Sequence, residues 1–208
     1  IAHMLGRWYE MGIAQLALSV VHMRYNDLLS CETCLRTAKQ ILSRFENPYL
    51  QGYLLFNMGS LAIKKKLYKE GVFKYKQAIE ILRQNGYEID SVRIYLALCR
   101  HYSYVSDFVN LKKYAEEGVR LAARLNIPLE KHDLLVYLAE AEQASGNHEQ
   151  AFARLQEALT FYEQNQYTSQ AAQTAEKIGD LFHRKRKYKE AAKYYKIATK
   201  LQKGGEPA

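Results

Sequence analysis

Cys31 and Cys34 are the two residues of this sequence whose type and spacing come nearest to a metal or redox pair. A structural zinc site needs four ligands, and no second closely spaced cysteine pair accompanies them. The third cysteine, Cys99, stands alone, so the set is odd and sparse. Such usage is typical of a reducing compartment such as the cytoplasm, and argues against a disulfide scaffold. We therefore interpret the cysteines as structural and predict no metal site.

Catalytic motifs are also absent from the sequence. The histidines are dispersed, without the HExxH spacing of a zinc protease. No GxxxxGK or GxGxxG phosphate-binding loop occurs, and no nucleophile is accompanied by a base and an orienting partner. We predict a protein that is not an enzyme and that needs no cofactor.

Two basic segments raise the question of nucleic-acid binding: KKKLYK at 64–69 and HRKRKYK at 183–189, in a chain of formal net charge +8. Lysine and arginine could supply salt-sensitive phosphate contacts. Both segments, however, fall at the same phase of the repeat described next, between two helices, where cations commonly cap helix C-termini. We expect no direct nucleic-acid binding. We also expect no membrane span, because the apolar run at 13–23 is short and interrupted by polar residues.

The chain repeats itself at a constant interval, without insertion or deletion. Small residues occupy one position of the first half of each unit: Ser19, Gly59, Cys99, Ala139 and Gly179. The second half of each unit has two such positions. The first is occupied by Cys31, Gly71, Leu111, Ala151 and Ala191, of which only Leu111 is large. The second is occupied by Ala38, Ala78, Gly118, Ala158 and Ala198. These positions define a 40-residue period. Small residues at these intervals predict helices that cross closely.

Apolar residues within each unit recur at three- and four-residue spacing, which predicts α-helices. Asn, Asp, Ser and Gly mark a turn in the middle of units, and Pro48 and Pro128 separate successive units. The predicted fold is all-α, with five helical hairpins stacked in a right-handed superhelix. The expected organisation is residues 1–11 as the end of a preceding helix, a repeat domain at 12–202 and a tail at 203–208. The predicted units are 12–51, 52–91, 92–131, 132–171 and 172–202.

The segment AEKIGDLFHRKRKYKEAAKYYKIA at 175–198 resembles a tetratricopeptide repeat. Ile178-Gly179, Tyr188 and Glu190-Ala191 stand where that motif has leucine-glycine, tyrosine and glutamate-alanine. The copy at 55–78 matches nearly as well, whereas the copies at 12–51 and 92–131 are degenerate. Because the period is constant, the resemblance extends over essentially the whole chain. It implies a helical repeat whose motif encodes packing and does not by itself specify a ligand.

Long units, tyrosine-rich helices and lysine-rich turns are similar to the sensor domains of Firmicute peptide-pheromone receptors, the Rap, NprR, PlcR and PrgX group. This resemblance implies a cytoplasmic bacterial signalling or transcriptional regulator, such as a quorum sensor, with a peptide or protein ligand in a concave groove lined by the first helices. The DNA-binding unit of the regulator members would lie before residue 1.

Candidate ligand-binding residues are the positions of the first helices that the stacking pattern leaves to solvent. They are Tyr53, Phe56, Asn57, Ser60, Lys64, Arg93, Leu96, Arg100, Tyr104, Asp133, Tyr137 and Glu140. The same phase also leaves Val136, Gln173, Glu176, Asp180 and His183 to solvent. Arg93, Arg100 and Tyr104 share one helix face, and two guanidinium groups there suit a carboxylate. Asn57 matches an asparagine that hydrogen-bonds the ligand backbone in peptide-binding members. The alternative is that these are ordinary solvated helix residues.

Two functional classes follow from these patterns. The first is a non-enzymatic peptide- or protein-binding module, the ligand-sensing part of a bacterial regulator. The second is a constitutive assembly scaffold or dimerisation domain that forms a homodimer through the exposed helices at its ends.

Overall fold

The computed structural model describes residues 2–204, which form ten α-helices and no strand. They are α1 (Ala2–Arg24), α2 (Leu28–Leu42), α3 (Pro48–Lys64), α4 (Tyr68–Gln84), α5 (Glu88–Tyr104), α6 (Phe108–Arg124), α7 (Pro128–Ala144), α8 (His148–Gln164), α9 (Thr168–Arg184) and α10 (Tyr188–Gly204). This confirms the prediction of an all-α fold of five helical hairpins. None of the described helices is both long and apolar enough to cross a bilayer.

The repeat period divides into two equal halves, each made of one helix and one turn. From α3 onwards every helix has 17 residues. Every turn between these helices spans three positions. Residues with positive φ recur in these turns and in the turn after α1: Asn26, Lys66, Gly86, Ser106, Asn126, Gly146, Gln166 and Arg186. The turn inside a hairpin therefore has the same geometry as the turn between hairpins.

Each of these turns closes the preceding helix in the same way. The amide after the left-handed residue donates to a carbonyl five residues earlier, as from Leu67 to Ala62 at 2.8 Å and from Lys187 to Phe182 at 3.0 Å. This is the Schellman arrangement, in which glycine or asparagine is favoured because a side chain at positive φ is strained. Lys66 and Arg186 therefore hold their turns at some conformational cost.

The link from α2 to α3 departs from this register. Asn47 precedes α3, and its Oδ1 accepts a hydrogen bond from the Leu50 amide at 3.1 Å. Pro48 follows in the first turn, where its missing N–H removes no helical hydrogen bond. The Asn47 Nδ2 also donates to the Tyr9 hydroxyl at 2.9 Å, which ties the start of α3 to α1.

The chain forms two compact units, residues 1–98 and residues 99–208. Such division is natural in a repeat protein, because each hairpin packs on its neighbours and no central core unites them. The boundary expected at residue 12 does not coincide with a helix end, because α1 runs unbroken from Ala2 to Arg24. At the other end, Lys203 and Gly204 belong to α10, and the rest of the expected tail lies outside the described residues.

In the first unit, the small-residue positions bring α3 and α4 into close contact. A Cβ added to Gly59 would lie 2.7 Å from the Tyr75 ring and 3.0 Å from the Gly71 carbonyl oxygen. A side chain on Gly71 would in turn meet Ile63 at 2.6 Å. Between α1, α2 and α3 lies an apolar cluster whose buried members are Leu16, Cys31, Leu35, Ala38, Leu42, Leu50, Leu54 and Leu61.

The second unit repeats the arrangement with a different filling. A Cβ added to Gly179 of α9 would lie 2.5 Å from the ring of Tyr195 on α10. The helices α7 to α10 enclose one apolar cluster, which includes Ala139, Ala151, Ala158 and Ala198, all at most 5% exposed. The buried small residues confirm the crossing positions predicted from the repeat.

We expect Gly179→Ala to destabilise the protein by about 1–3 kcal/mol, because the Tyr195 ring must move to admit the methyl group. Gly6 is the matched control, since it is also helical but a Cβ there would meet nothing within 4 Å. Gly6→Ala should stabilise by up to about 1 kcal/mol through reduced backbone entropy. Urea unfolding of both variants measures the difference; equal stabilities would contradict the close crossing.

Arg186→Gly should stabilise the protein by about 0.5–1 kcal/mol, because glycine removes the strain of a side chain at positive φ. Lys185→Gly is the control, since Lys185 has a φ of −81° and gains nothing from glycine. The melting temperature should rise for Arg186→Gly and fall or stay constant for Lys185→Gly. The reverse order would refute the turn geometry.

Candidate peptide-binding surfaces

The inner face of α3 carries five of the predicted ligand-binding residues, and most of them are packed rather than free. Tyr53 and Phe56 have ring centroids 6.3 Å apart, and Phe56 lies 5.6 Å from Tyr75 of α4. The Ser60 hydroxyl lies 3.0 Å from the Tyr75 hydroxyl, within hydrogen-bonding distance. The result is a half-buried aromatic wall that keeps some ring surface open.

Asn57 was predicted to face solvent, and this is wrong, because its side chain is only 6% exposed. Asn57 continues the buried stripe formed by Leu54 and Leu61 on α3, three and four residues away, which explains its burial. Its Nδ2 has no hydrogen-bond acceptor among the described residues. A buried amide without a partner is costly, so Asn57 keeps an unused donor on the buried side of α3.

Lys64 was also predicted to face a ligand, but its ammonium group is engaged elsewhere. The Nζ donates to the Met23 carbonyl at 2.8 Å and lies 3.3 Å from the Asn26 Oδ1. Lys64 therefore caps the C-terminus of α1, where a cation is favourable. The next residue, Lys65, forms an ion pair with Glu32 at 2.6 Å. These contacts give the first basic segment a structural role.

The predicted residues of α5 fall into both units. Arg93 and Leu96 belong to the first, and Arg100 and Tyr104 to the second. Arg93 is exposed and Leu96 half-buried. Burial raises the pKa of the Tyr49 hydroxyl and Asp90 adds to this effect, while the charge of Arg93 opposes it. Arg93 therefore lies near an acidic and aromatic site on the first unit.

In the second unit, Arg100 meets two other predicted residues. It shares a hydrogen bond with the Tyr137 hydroxyl, and its charge acts on Asp133. Burial raises the pKa of the Asp133 carboxyl, and the hydrogen bond from Tyr162 and the charge of Arg100 offset only part of this effect. The Tyr162 hydroxyl donates to Asp133 Oδ1 at 2.6 Å. Arg100 thus already has partners within the protein, and Tyr104 is 75% exposed.

Glu140, the last predicted residue, lies in a groove of about 330 Å³ on the second unit. The groove is formed mainly by the first helices of three successive hairpins, α5, α7 and α9. We call it the α7–α9 groove, and its polar lining residues are Ser103, Glu140, Gln143, Lys177, Asp180 and Arg184.

Internal contacts hold the carboxylates of the α7–α9 groove in place. Ser103 Oγ donates to Glu140 Oε1 at 2.5 Å, and Lys177 Nζ lies 3.8 Å from Glu140 Oε2. Tyr195, whose ring covers Gly179, donates its hydroxyl hydrogen to Asp180 Oδ1 at 2.8 Å. Two cations and two carboxylates thus line one wall together with a neutral amide. Such a mixture can bind both the backbone and the charged groups of an extended peptide.

Asp180 was predicted as a solvent-facing position of the last unit, but Lys177 and Arg184 were not among the predicted residues. Lys177 lies one period after Tyr137, and Arg184 lies two periods after Tyr104. Extending the predicted positions by the repeat period would have found both.

Cys31 and Cys99 lie in environments that disfavour a reactive thiolate. Burial raises the pKa of the Cys99 thiol to about 12, with a smaller contribution from Glu140. Burial also raises the pKa of the Cys31 thiol. A thiol that stays protonated is a poor nucleophile and metal ligand. Within the described part of the chain, no cluster of three or more His, Cys, Asp or Glu residues could hold a metal ion.

Comparison with protein families and curated proteins supports the repeat interpretation. The tetratricopeptide repeat family model matches residues 131–203. Transcriptional activator NprA of Geobacillus stearothermophilus is 21% identical over 199 residues, which are 90% of this chain and 47% of NprA. The chain thus spans about half the length of this curated relative.

Three solved structures have similar folds. BtubC from P. vanneervenii gives a TM-score of 0.81 at 16% identity, over 95% of this chain and 84% of that one. Aspartyl phosphate phosphatase F from Bacillus subtilis gives a TM-score of 0.81 at 14% identity, over 94% of this chain and 52% of that one. NprR in complex with its cognate peptide NprX gives a TM-score of 0.69 at 16% identity, over 95% of this chain and 57% of that one. At these identities the likeness establishes the fold alone.

The helical hairpins, the family match and the solved folds lead to the same assignment. Residues 131–203 match the tetratricopeptide repeat model, and the described helices have the tetratricopeptide-like fold of solved structures that include RapI and NprR.

Proposed function

We propose that this chain is a non-enzymatic peptide-binding module, the ligand-sensing part of a cytoplasmic bacterial regulator. The observation that carries the proposal is the α7–α9 groove, in which three first helices present charged and amide side chains to one space. NprA is a transcriptional activator and NprR is a quorum sensor solved with a peptide, which supports a regulatory binding role.

The groove suits a short extended peptide that carries an acidic group. Lys177 and Arg184 are exposed cations on one helix, seven residues apart and therefore on the same face. They supply donors for a side-chain or C-terminal carboxylate. Gln143 offers both a donor and an acceptor to the peptide backbone. Glu140 and Asp180 add specificity, because they repel a second acidic group placed near them.

Ligand binding in the α7–α9 groove would regulate the protein by changing how neighbouring hairpins are arranged. A peptide that contacts both Glu140 of α7 and Lys177 of α9 favours one spacing of the two hairpins. Because the hairpins of a repeat protein contact only their neighbours, a small rotation between two of them changes the surface that the array presents. The ligand then acts by selecting one of these arrangements.

A constitutive assembly scaffold is the second candidate function. It is favoured by the exposed apolar residues on α1, among them Trp8, Leu18 and Val21. Size-exclusion chromatography with light scattering separates the two functions. A homodimer that no peptide affects supports a scaffold, and an association state that changes with peptide supports sensing.

We expect Lys177→Glu to weaken peptide binding at least about tenfold, because it replaces a donor with a carboxylate beside Glu140 and Asp180. The probe is an unbiased array of immobilised heptapeptides, followed by fluorescence anisotropy of the best binders. Lys196→Glu on α10 is the matched control, since Lys196 is also exposed but does not line the groove. Unchanged affinity for Lys177→Glu, or equal losses for both variants, would contradict binding in this groove.

A further inference from the structure

One face of α1 exposes a continuous row of apolar side chains. Met11, Leu18 and Val21 are 40–46% exposed, and Ala14 is also exposed. Their spacing of three and four residues places them on one side of the helix. The other side, with Gly12, Leu16 and Ser19, is buried. We call these four exposed residues the α1 stripe.

The equivalent stripe is covered in later hairpins. One period on, Leu54 and Leu61 are 8% and 7% exposed and lie in the apolar cluster with Leu35 and Leu42 of α2. Of the other two equivalents, Met58 is half-buried against this cluster and Gln51 is exposed. Four periods on, the equivalents on α9 are at most 2% exposed: Ala171, Thr174, Ile178 and Leu181. In the second unit α8, the second helix of the preceding hairpin, packs against α9. The α1 stripe therefore has the residues of a stacking face without its cover.

The register of turns gives an independent indication at the start of α1. Left-handed turn residues recur at a constant interval from Lys66 to Arg186, and Asn26 keeps this register although the α2–α3 link at Glu46 does not. One such interval before Asn26 falls on Gly6. In the structure Gly6 is exposed and lies within α1, which has 23 residues where the later first helices have 17. Trp8 is the equivalent of Pro48, Pro128 and Thr168, the first residues of α3, α7 and α9. The repeat thus places a turn at 5–7 and a helix start at Trp8.

The last helix has a different outer face. Phe152, Leu159 and Tyr162 of α8 belong to the apolar cluster against α9. Their equivalents one period later are Ala192, Thr199 and Gln202 of α10, which are exposed. This face of α10 is polar and does not complement the α1 stripe. Head-to-tail stacking of a second copy on α1 is therefore disfavoured.

We propose that the α1 stripe is the docking surface for the second helix of a further repeat hairpin, which lies N-terminal to Gly6 in the same polypeptide. That helix would end before a left-handed turn at Gly6 and carry large apolar residues like those of α8. The curated relative NprA, of which this chain spans 47%, is long enough to hold such a hairpin. The inference is independent of the proposed peptide-binding function.

The test supplies a hairpin in register. A copy of residues 128–160 is fused ahead of Ile1 of the full chain, so that residues 1–7 take the place of 161–167 in the repeat. We expect the fused chain to melt at least about 5 °C higher, because the stripe becomes buried. Amide hydrogens of residues 11–21 should exchange at least about tenfold more slowly. The control fusion carries Leu18→Glu and Val21→Glu and should lose both gains.

Gly6 provides a readout that mere lengthening of the chain does not change. In the unfused chain Gly6 is helical, so Gly6→Ala should raise the melting temperature by roughly 2–4 °C. In the fused chain Gly6 should adopt positive φ, so the same substitution should lower it. Equal signs in the two chains, or gains that survive the paired glutamates, would overturn the proposal. A dimer that persists in the fused chain and that the paired glutamates dissociate would identify a second copy as the partner instead.

Discussion

The close approach of two helices at a small residue is the contact on which this protein depends. At Gly59 and Gly71, and again at Gly179, no room remains for a methyl group, so the helices of a hairpin pack backbone against ring or backbone. This contact sets the angle between the two helices of a hairpin and determines which side chains reach its inner face. The large aromatic and aliphatic residues fill the grooves beside it, where burial of apolar surface supplies the stabilisation.

A constant turn repeats this contact along the chain. From α3 onwards, helices of equal length joined by equally short turns give every second helix the same place in its hairpin, and the left-handed residue of each turn closes the helix before it. The chain satisfies this geometry with asparagine or glycine at four of these eight turns, and with Lys66, Ser106, Gln166 and Arg186 at the other four, because stacking of the hairpins outweighs the local strain. The register therefore persists where the tetratricopeptide motif itself is degenerate.

Sequence reasoning could find the helices and their crossings, because both leave a periodic pattern of residue size. It could not predict which partners individual polar residues contact, because those partners are distant in sequence. Lys64 is bound by Met23 of the preceding hairpin, and Arg100 shares a hydrogen bond with Tyr137. Asn57 was assigned to the open face, although its spacing from Leu54 and Leu61 already placed it on the buried stripe. The residues of α9 that line the α7–α9 groove could have been predicted from the repeat period alone.

Two tyrosines have the same double role, three periods apart. Tyr75 covers Gly59 with its ring and meets Ser60 with its hydroxyl, and Tyr195 covers Gly179 and donates to Asp180. In each hairpin the residue that seals the crossing also orients a polar group on the inner face. A hairpin transplanted between arrays therefore carries its own oriented polar group with it. Recombination of whole units can change the polar groups on the inner face of such an array without redesign of its interior.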